Sequence, residues 1–272
     1  MVSILDSNGV ERFLANNVPD PNRTCKVFLT YGDTADTPMI PRSKWPELIM
    51  AMGDWQDSPF LSPVHDQDGV GQCNADATCS MAESMRLKQG LPLVMLSAAD
   101  LYHQINGGQD QGSLLEDAME AMLETGVGTV ETCGTIWRRG HKVPSPAERK
   151  RFRFLEVFNA PTFDHFFSGL LSGFDGNTGI MWGQNDNVDA DGWIPASAGQ
   201  AGGHSLHSYK PAMRQGRGGI QFGCATKNSW DTRWGVGGKC VIPESRYKGP
   251  VGGWFLVRAI TDEGGVVPQE KS

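Results

Sequence analysis

From Cys73 to about Leu87 positions 77, 81 and 85 (Ala77, Met81, Met85) and positions 78 and 82 beside them fall four apart. That period predicts a helix with one buried face, its polar positions including Glu83 and Arg86. Leu114, Ala118, Ala121 and Met122 mark a second helix from Ser113 to Glu124, with Ser113 and Glu116 spaced as a capping box and Gly126 as its stop. Lys26 to Tyr31 reads as a short strand between Pro-, Asp- and Asn-rich turns. After residue 155 the texture changes to short apolar runs among glycines, such as Gly179 to Trp182 and Trp254 to Val257. That is the texture of a strand-rich half.

Two stretches lack such a pattern. Residues 184–203, rich in Gly, Asn, Asp and Ala, read as a mobile loop. Residues 138–153 are locally basic and read as a solvated connection with a helical turn, the rival being a docking surface for an acidic partner. No internal repeat is present.

Composition narrows the function classes. A chain of 272 residues, 39% hydrophobic, is long enough to build real cores. A net charge of −7 argues against a nucleic-acid partner, whose phosphates need a basic surface. No run of 18 apolar residues is long enough to span a membrane, and the first residues lack the basic start and apolar stretch of a secretory signal, so a cytoplasmic location is expected. Asn22-Arg23-Thr24 fits a glycosylation sequon and, without export, reads as chance. The six cysteines form no Cys-x-x-Cys pair, which argues against structural zinc. Apart from Cys73 they read as small buried hydrophobes.

The chemistry lies in three separated stretches: Gln67 to Cys73, Gly202-Gly203-His204, and Lys227-Asn228-Ser229-Trp230. In this order, with Gln six residues before Cys and Trp234-Gly235 following Trp230, they resemble the papain-like cysteine peptidases. Asp54-Trp55 and Leu96 to Leu101 are weaker echoes, and the resemblance runs from about residue 45 nearly to the C-terminus. It implies an α+β fold, with a helical half, residues 45–155, packed against a β-barrel-like half, residues 156–272, and an active-site cleft between them. It implies no cofactor or metal. Residues 1–44 form an N-terminal extension with no counterpart in the mature family domain. Three positions depart from the pattern. Asn74 stands where relatives place an aromatic residue, Val70 replaces a cysteine of a family disulfide, and Asp231 replaces a glycine. The first and last are expected to alter the cleft walls; the second fits a reducing compartment.

A lone cysteine before an apolar helix is usually structural, but Gln67, His204 and Asn228 in register make Cys73 the candidate nucleophile. The helix dipole and a neighbouring imidazolium would lower its pKa. His204 is the candidate base; on a strand, His207 three residues on points to the other face. The His-x-x-His spacing is weak as a zinc site. Asn228 would fix the imidazole tautomer, and the resemblance gives Trp230 the task of covering that hydrogen bond. Gln67 would donate to the oxyanion. Gly112 and Ser113 stand about where relatives line the substrate pocket, with Gly107-Gly108 as a competing alignment; Trp230 is also expected at the substrate.

Two functional classes follow. One is a peptidase acting on peptide or protein substrates. The other is a papain-fold binding or structural component of a larger assembly such as a virion, with a protein partner held through residues 1–44. That extension lacks the long amphipathic helices of an inhibitory pro-segment. It is expected to pack outside the cleft, with Val27 and Leu29 on one face and Phe28 on the other, leaving Cys73 accessible.

Overall fold

The computed structural model describes residues 2–6, 8–14, 27–184, 186–199, 201–247 and 253–261. The chain opens with a hairpin, β1 (Val2–Leu5) and β2 (Glu11–Leu14), and a two-residue strand, β3 (Leu29–Thr30). Helices follow: α1 (Trp45–Met52), α2 (Cys73–Lys88), α3 (Ala98–Ile105), α4 (Leu115–Glu124), α5 (Val130–Cys133) and α6 (Pro146–Lys150). Then come β4 (Phe154–Asn159), α7 (Phe163–Leu171), β5 (Asp175–Gly183), β6 (Ala201–Gly216), β7 (Gly219–Lys227), β8 (Lys239–Pro243) and β9 (Trp254–Ile260). The main sheet has seven strands in the order β3-β4-β9-β5-β6-β7-β8, antiparallel except for β3 against β4. Among the described residues this sheet is open, where a barrel-like half was expected; β3 and β8 are its two edges.

Helix α2 is buried on every side from Cys73 to Arg86, not on one face. Small residues at 75, 77, 80, 82 and 84 let α3 and α4 approach from one side and the sheet from the other. Two large apolar cores result, beside a smaller cluster around Trp193 and Tyr209. One joins Met81, Met85, Leu101 and Met119 to Val257, and the other is aromatic, with Trp45, Phe166, Phe167, Trp182 and Trp230. Helix α1, within the stretch assigned to the helical half, packs in the second core, where the Trp45 and Phe167 rings lie 4.3 Å apart. Burying each such ring is worth roughly 1.5–3 kcal/mol. Gly176 is required for this packing, since a Cβ there would lie 2.2 Å from Phe166 Cζ.

Several local expectations shift. Helix α4 starts at Leu115 and has no side-chain cap. The Ser113 hydroxyl accepts from Asn74 Nδ2 at 3.1 Å, so the expected capping box does not form. The predicted strand over 26–31 contracts to β3; Lys26 lies outside the described residues. Val27 and Leu29 face solvent while Phe28 packs edge-on against Phe255 at 5.2 Å, the alternation that was expected. The basic stretch carries α6, and its Arg149 is tied inward to the buried carboxylate of Asp100. Within 184–199, Asp186 is buried against Arg246 at 2.7 Å, and Trp193 and Ile194 are buried as well. Much of that segment is therefore anchored, contrary to its loop-like composition.

Candidate active site

Cys73 is the first residue of α2, where the helix dipole favours negative charge. Its approach is tight: a Cβ on Gly71 would lie 3.0 Å from Asp110 Oδ1. His204 lies on β6 opposite Ile180 of β5, and Asn228 follows the end of β7. His204 Nε2 and Asn228 Oδ1 are 2.8 Å apart. The same oxygen accepts from the Ser229 amide at 2.8 Å, so it is the acceptor and His204 donates from Nε2. In the neutral ring Nδ1 is then the basic nitrogen, and it has no hydrogen-bond partner among the described residues. Trp230 stacks on His204 at 4.8 Å and 24°.

Gln67 is locked into the same unit. Its carbonyl accepts from Ser229 Oγ at 2.8 Å and Trp230 Nε1 at 3.1 Å, and its Nε2 donates to Val70 O at 2.8 Å. Its backbone amide donates to Ser229 O. Asn74 does not form a cleft wall. It is fully buried, donates to Ser113 Oγ and Leu114 O, and accepts from Asn177 Nδ2 at 3.0 Å. Asn177 in turn accepts from Ser205, the neighbour of His204. The residue after the candidate nucleophile is thus joined through one amide to the residue after the candidate base. His207 turns away toward Ser80 and Asp175. Asp231 takes φ 55°, in the left-handed region that favours glycine.

Of the expected substrate contacts, Gly112 and Ser113 are buried, with the Gly112 amide donating to the Tyr102 hydroxyl at 2.9 Å. Trp230 has no exposed surface. Cys73, Gln67 and His204 are likewise at 0% exposure, so the expected accessibility of Cys73 does not hold. Burial removes the imidazolium's hydration and pushes His204 down to about 4, against the opposing effect of Asn228. That shift favours the neutral imidazole in this closed arrangement. Two surface hollows of about 440 Å³ are lined in part by Trp193 and Arg214, away from Cys73 and His204.

The N-terminal hairpin sits against this unit. Arg12, itself buried, bonds Asp6 at 3.0 Å and Trp230 O at 3.0 Å, approaches Asp66 at 3.4 Å, and lies over the Trp230 ring. Gly202 leaves room for Leu14, whose Cβ would be 2.7 Å from a Cβ at 202. Gly202 thus seats the hairpin.

One group of potential metal ligands occurs among the described residues, Asp100, Cys133 and His141, whose ligand atoms lie within 4.8 Å of one another. Both Asp100 oxygens are already engaged by Arg149, so a cation there would face a guanidinium. Four of the other five cysteines, Cys79, Cys133, Cys224 and Cys240, are buried thiols, and Cys25 lies outside the described residues. Among the described residues no helix is long and apolar enough to cross a membrane.

No protein-family model matches the sequence, and no curated protein matches it. Solved structures do. Xylellain, a cysteine protease from Xylella fastidiosa, superposes with a TM-score of 0.66 at 17% identity over 90% of this chain and 96% of its own. Procathepsin B S9 from Trypanosoma congolense gives 0.63 at 14% over 91% and 86%. Digestive procathepsin L 3 from Tenebrio molitor gives 0.59 at 15% over 76% and 68%. At such identities the likeness speaks for architecture, and it agrees with the helix-then-sheet order: the chain has the fold of the papain-like cysteine proteases.

Proposed function

We propose that the chain is a cysteine-type peptidase that hydrolyses peptide bonds through Cys73, His204, Asn228 and Gln67. The observation that carries this reading is the 2.8 Å bond from His204 to Asn228 beneath Trp230, which orients a ring whose other nitrogen is left as the base. His204 takes the thiol proton as sulfur attacks the scissile carbonyl carbon. The oxyanion accepts from the Cys73 amide and the Gln67 side chain, and the proton passes to the leaving amine. Water, deprotonated by the same imidazole, then releases the acid from the thioester and restores the thiol.

The complete burial of Cys73, Gln67 and His204 favours a second reading, a papain-fold binding or structural component. For a peptidase it means that a substrate enters only after the site opens. Incubation with a peptide library and with an epoxide inhibitor, followed by mass, separates the two. Hydrolysis together with one adduct on Cys73 supports the enzyme. Neither, after the hairpin has been loosened by Leu14→Ala, would rule it out.

A further inference from the structure

Beside the site lies a charged cluster that hydrolysis does not use. His65, two residues before Gln67, is 8% exposed in its side chain, with Nδ1 3.1 Å from Asp76 Oδ1 and Nε2 3.0 Å from Glu83 Oε2. Asp76 and Glu83 are three and ten residues after Cys73, two helical turns apart on one face of α2. A neutral imidazole has one N–H and can satisfy one ionised carboxylate; only the imidazolium donates to both. We propose that His65, held as an imidazolium between Asp76 and Glu83, is a positioning residue that clamps the Gln67 loop to the helix bearing Cys73.

Ser62, at the start of the same segment, also hydrogen-bonds Glu83 of α2. From the opposite side Lys227, the residue before Asn228, donates to Ser62 O at 2.9 Å, Ser62 Oγ at 2.7 Å and Pro63 O at 3.1 Å. The Asp231 amide donates to His65 O at 3.2 Å. Segment 62–67 is thus gripped by the helix on one side and by the Asn228–Asp231 turn on the other. The oxyanion donor is thereby located relative to both nucleophile and orienting amide. An error of about 1 Å in such placement costs on the order of 100-fold in rate.

The charges facing His65 are Asp76 and Glu83 from α2 and, across Glu83, Lys227 from β7; His207, Asp175 and Lys88 form the next layer. Burial alone would lower the ring's pKa, but Glu83 and Asp76 outweigh it and raise it to about 9. Glu83 is held below its ordinary value despite burial, chiefly by His65, whereas burial raises Asp76 against the opposing pull of His65, so Glu83 is the firmer anion of the two. Burial pushes Lys227 down to about 8.

The clamp rests on the peptidase reading for its consequence in rate, but not for its structure, and two measurements on the full chain keep these apart. Imidazole NMR at pH 7.5 should show protons on both nitrogens of His65, persisting to about pH 9; a ring with one proton, or one titrating near 6.5, would overturn the proposal. Hydrogen exchange over residues 65–72 should quicken at least tenfold in Asp76→Asn, which leaves the second carboxylate in place if His65→Gln does not fold. Unchanged exchange also overturns it. In an active enzyme His65→Gln should lower kcat about 100-fold with KM within threefold, and His65→Lys, which keeps the cation, should recover at least tenfold. Equal kcat in all three forms sinks the clamp, whereas no hydrolysis and no Cys73 labelling in the wild type sinks the peptidase reading alone.

Discussion

The side chains of His204 and His65 are both buried near α2, and their surroundings drive them in opposite directions. His204 meets one amide oxygen, the face of Trp230 and, edge-on, the ring of Trp182, and its pKa falls to about 4. His65 meets two carboxylates, and its pKa rises to about 9. The same desolvation acts on both rings. What differs is whether fixed negative charge outweighs it. The ring proposed to shuttle protons is kept neutral and ready to accept one, while the ring proposed to hold structure keeps its proton.

The largest expected effect separates chemistry from architecture. Cys73→Ala should lower hydrolysis on the order of 10⁶-fold while costing only about 1 kcal/mol of stability, because one buried sulfur is lost and no charge is stranded. Peptide assays and thermal melts on one preparation check both halves. Substantial residual activity would move the nucleophile elsewhere.

At the other histidine the balance should invert. His65→Leu strands Asp76 and Glu83 opposite each other and should destabilise the fold by roughly 3–5 kcal/mol. Chemical denaturation measures this, and a loss below about 1 kcal/mol would mean that the carboxylates are not held by the ring.

The acid and alkaline sides of the stability curve should then divide between the two rings. Below an ordinary value of 6.5 the unfolded chain protonates His204 while the folded chain does not until about pH 4. Its contribution is therefore complete above 6.5 and lost on acidification. For His65 the folded chain keeps the proton up to about 9, so its contribution is complete below 6.5 and is lost as pH rises. Each is on the order of 3 kcal/mol. Lys227, lowered to about 8, acts with the opposite sign above that pH, so the His65 slope is cleanest between 6.5 and 8. Melting points from pH 4 to 8 should show a maximum near 6.5, and a monotonic curve would contradict the contrast.

The smallest effect concerns Asp231. Its φ of 55° costs about 1 kcal/mol for most residues and less for aspartate. Asp231→Gly relieves that strain but removes the ion pair with Arg233 at 2.6 Å and the approach of Arg12 at 3.9 Å. These offset, so the melting point should move by less than about 3 °C. A larger fall would give the Arg12 contact more weight than its distance suggests.

The candidate site was legible because its residues carry distinct chemistry at fixed local offsets. Gln67, His204, Asn228 and Trp230 meet in the structure through direct bonds and ring contacts. The second cluster was not, although a signal existed: Asp76 and Glu83 are acids seven apart inside a helix whose other residues call for burial. Periodicity shows that a helix has an inner face but cannot show that small residues let it be buried all round. Asn74 was misjudged for the same reason, its partners Ser113 and Asn177 lying 39 and 103 positions away. The open sheet depends on pairings distant in sequence, and the hairpin's seat on Gly202 joins residues whose own neighbourhoods give no hint of each other.

That hairpin has one further property. Arg12 holds it against Trp230 and Asp66, yet the nearest counter-ion of Arg12 is Asp6, which belongs to the same hairpin. If the hairpin lifts away, guanidinium and carboxylate leave together as a neutral pair. Asp66, already 38% exposed in its side chain, simply returns to water. Closing and opening this edge of the molecule therefore strands no charge on either surface, and the ease of the motion is set by apolar contacts such as Leu14 on Gly202 rather than by the ionic contacts that seem to rivet it.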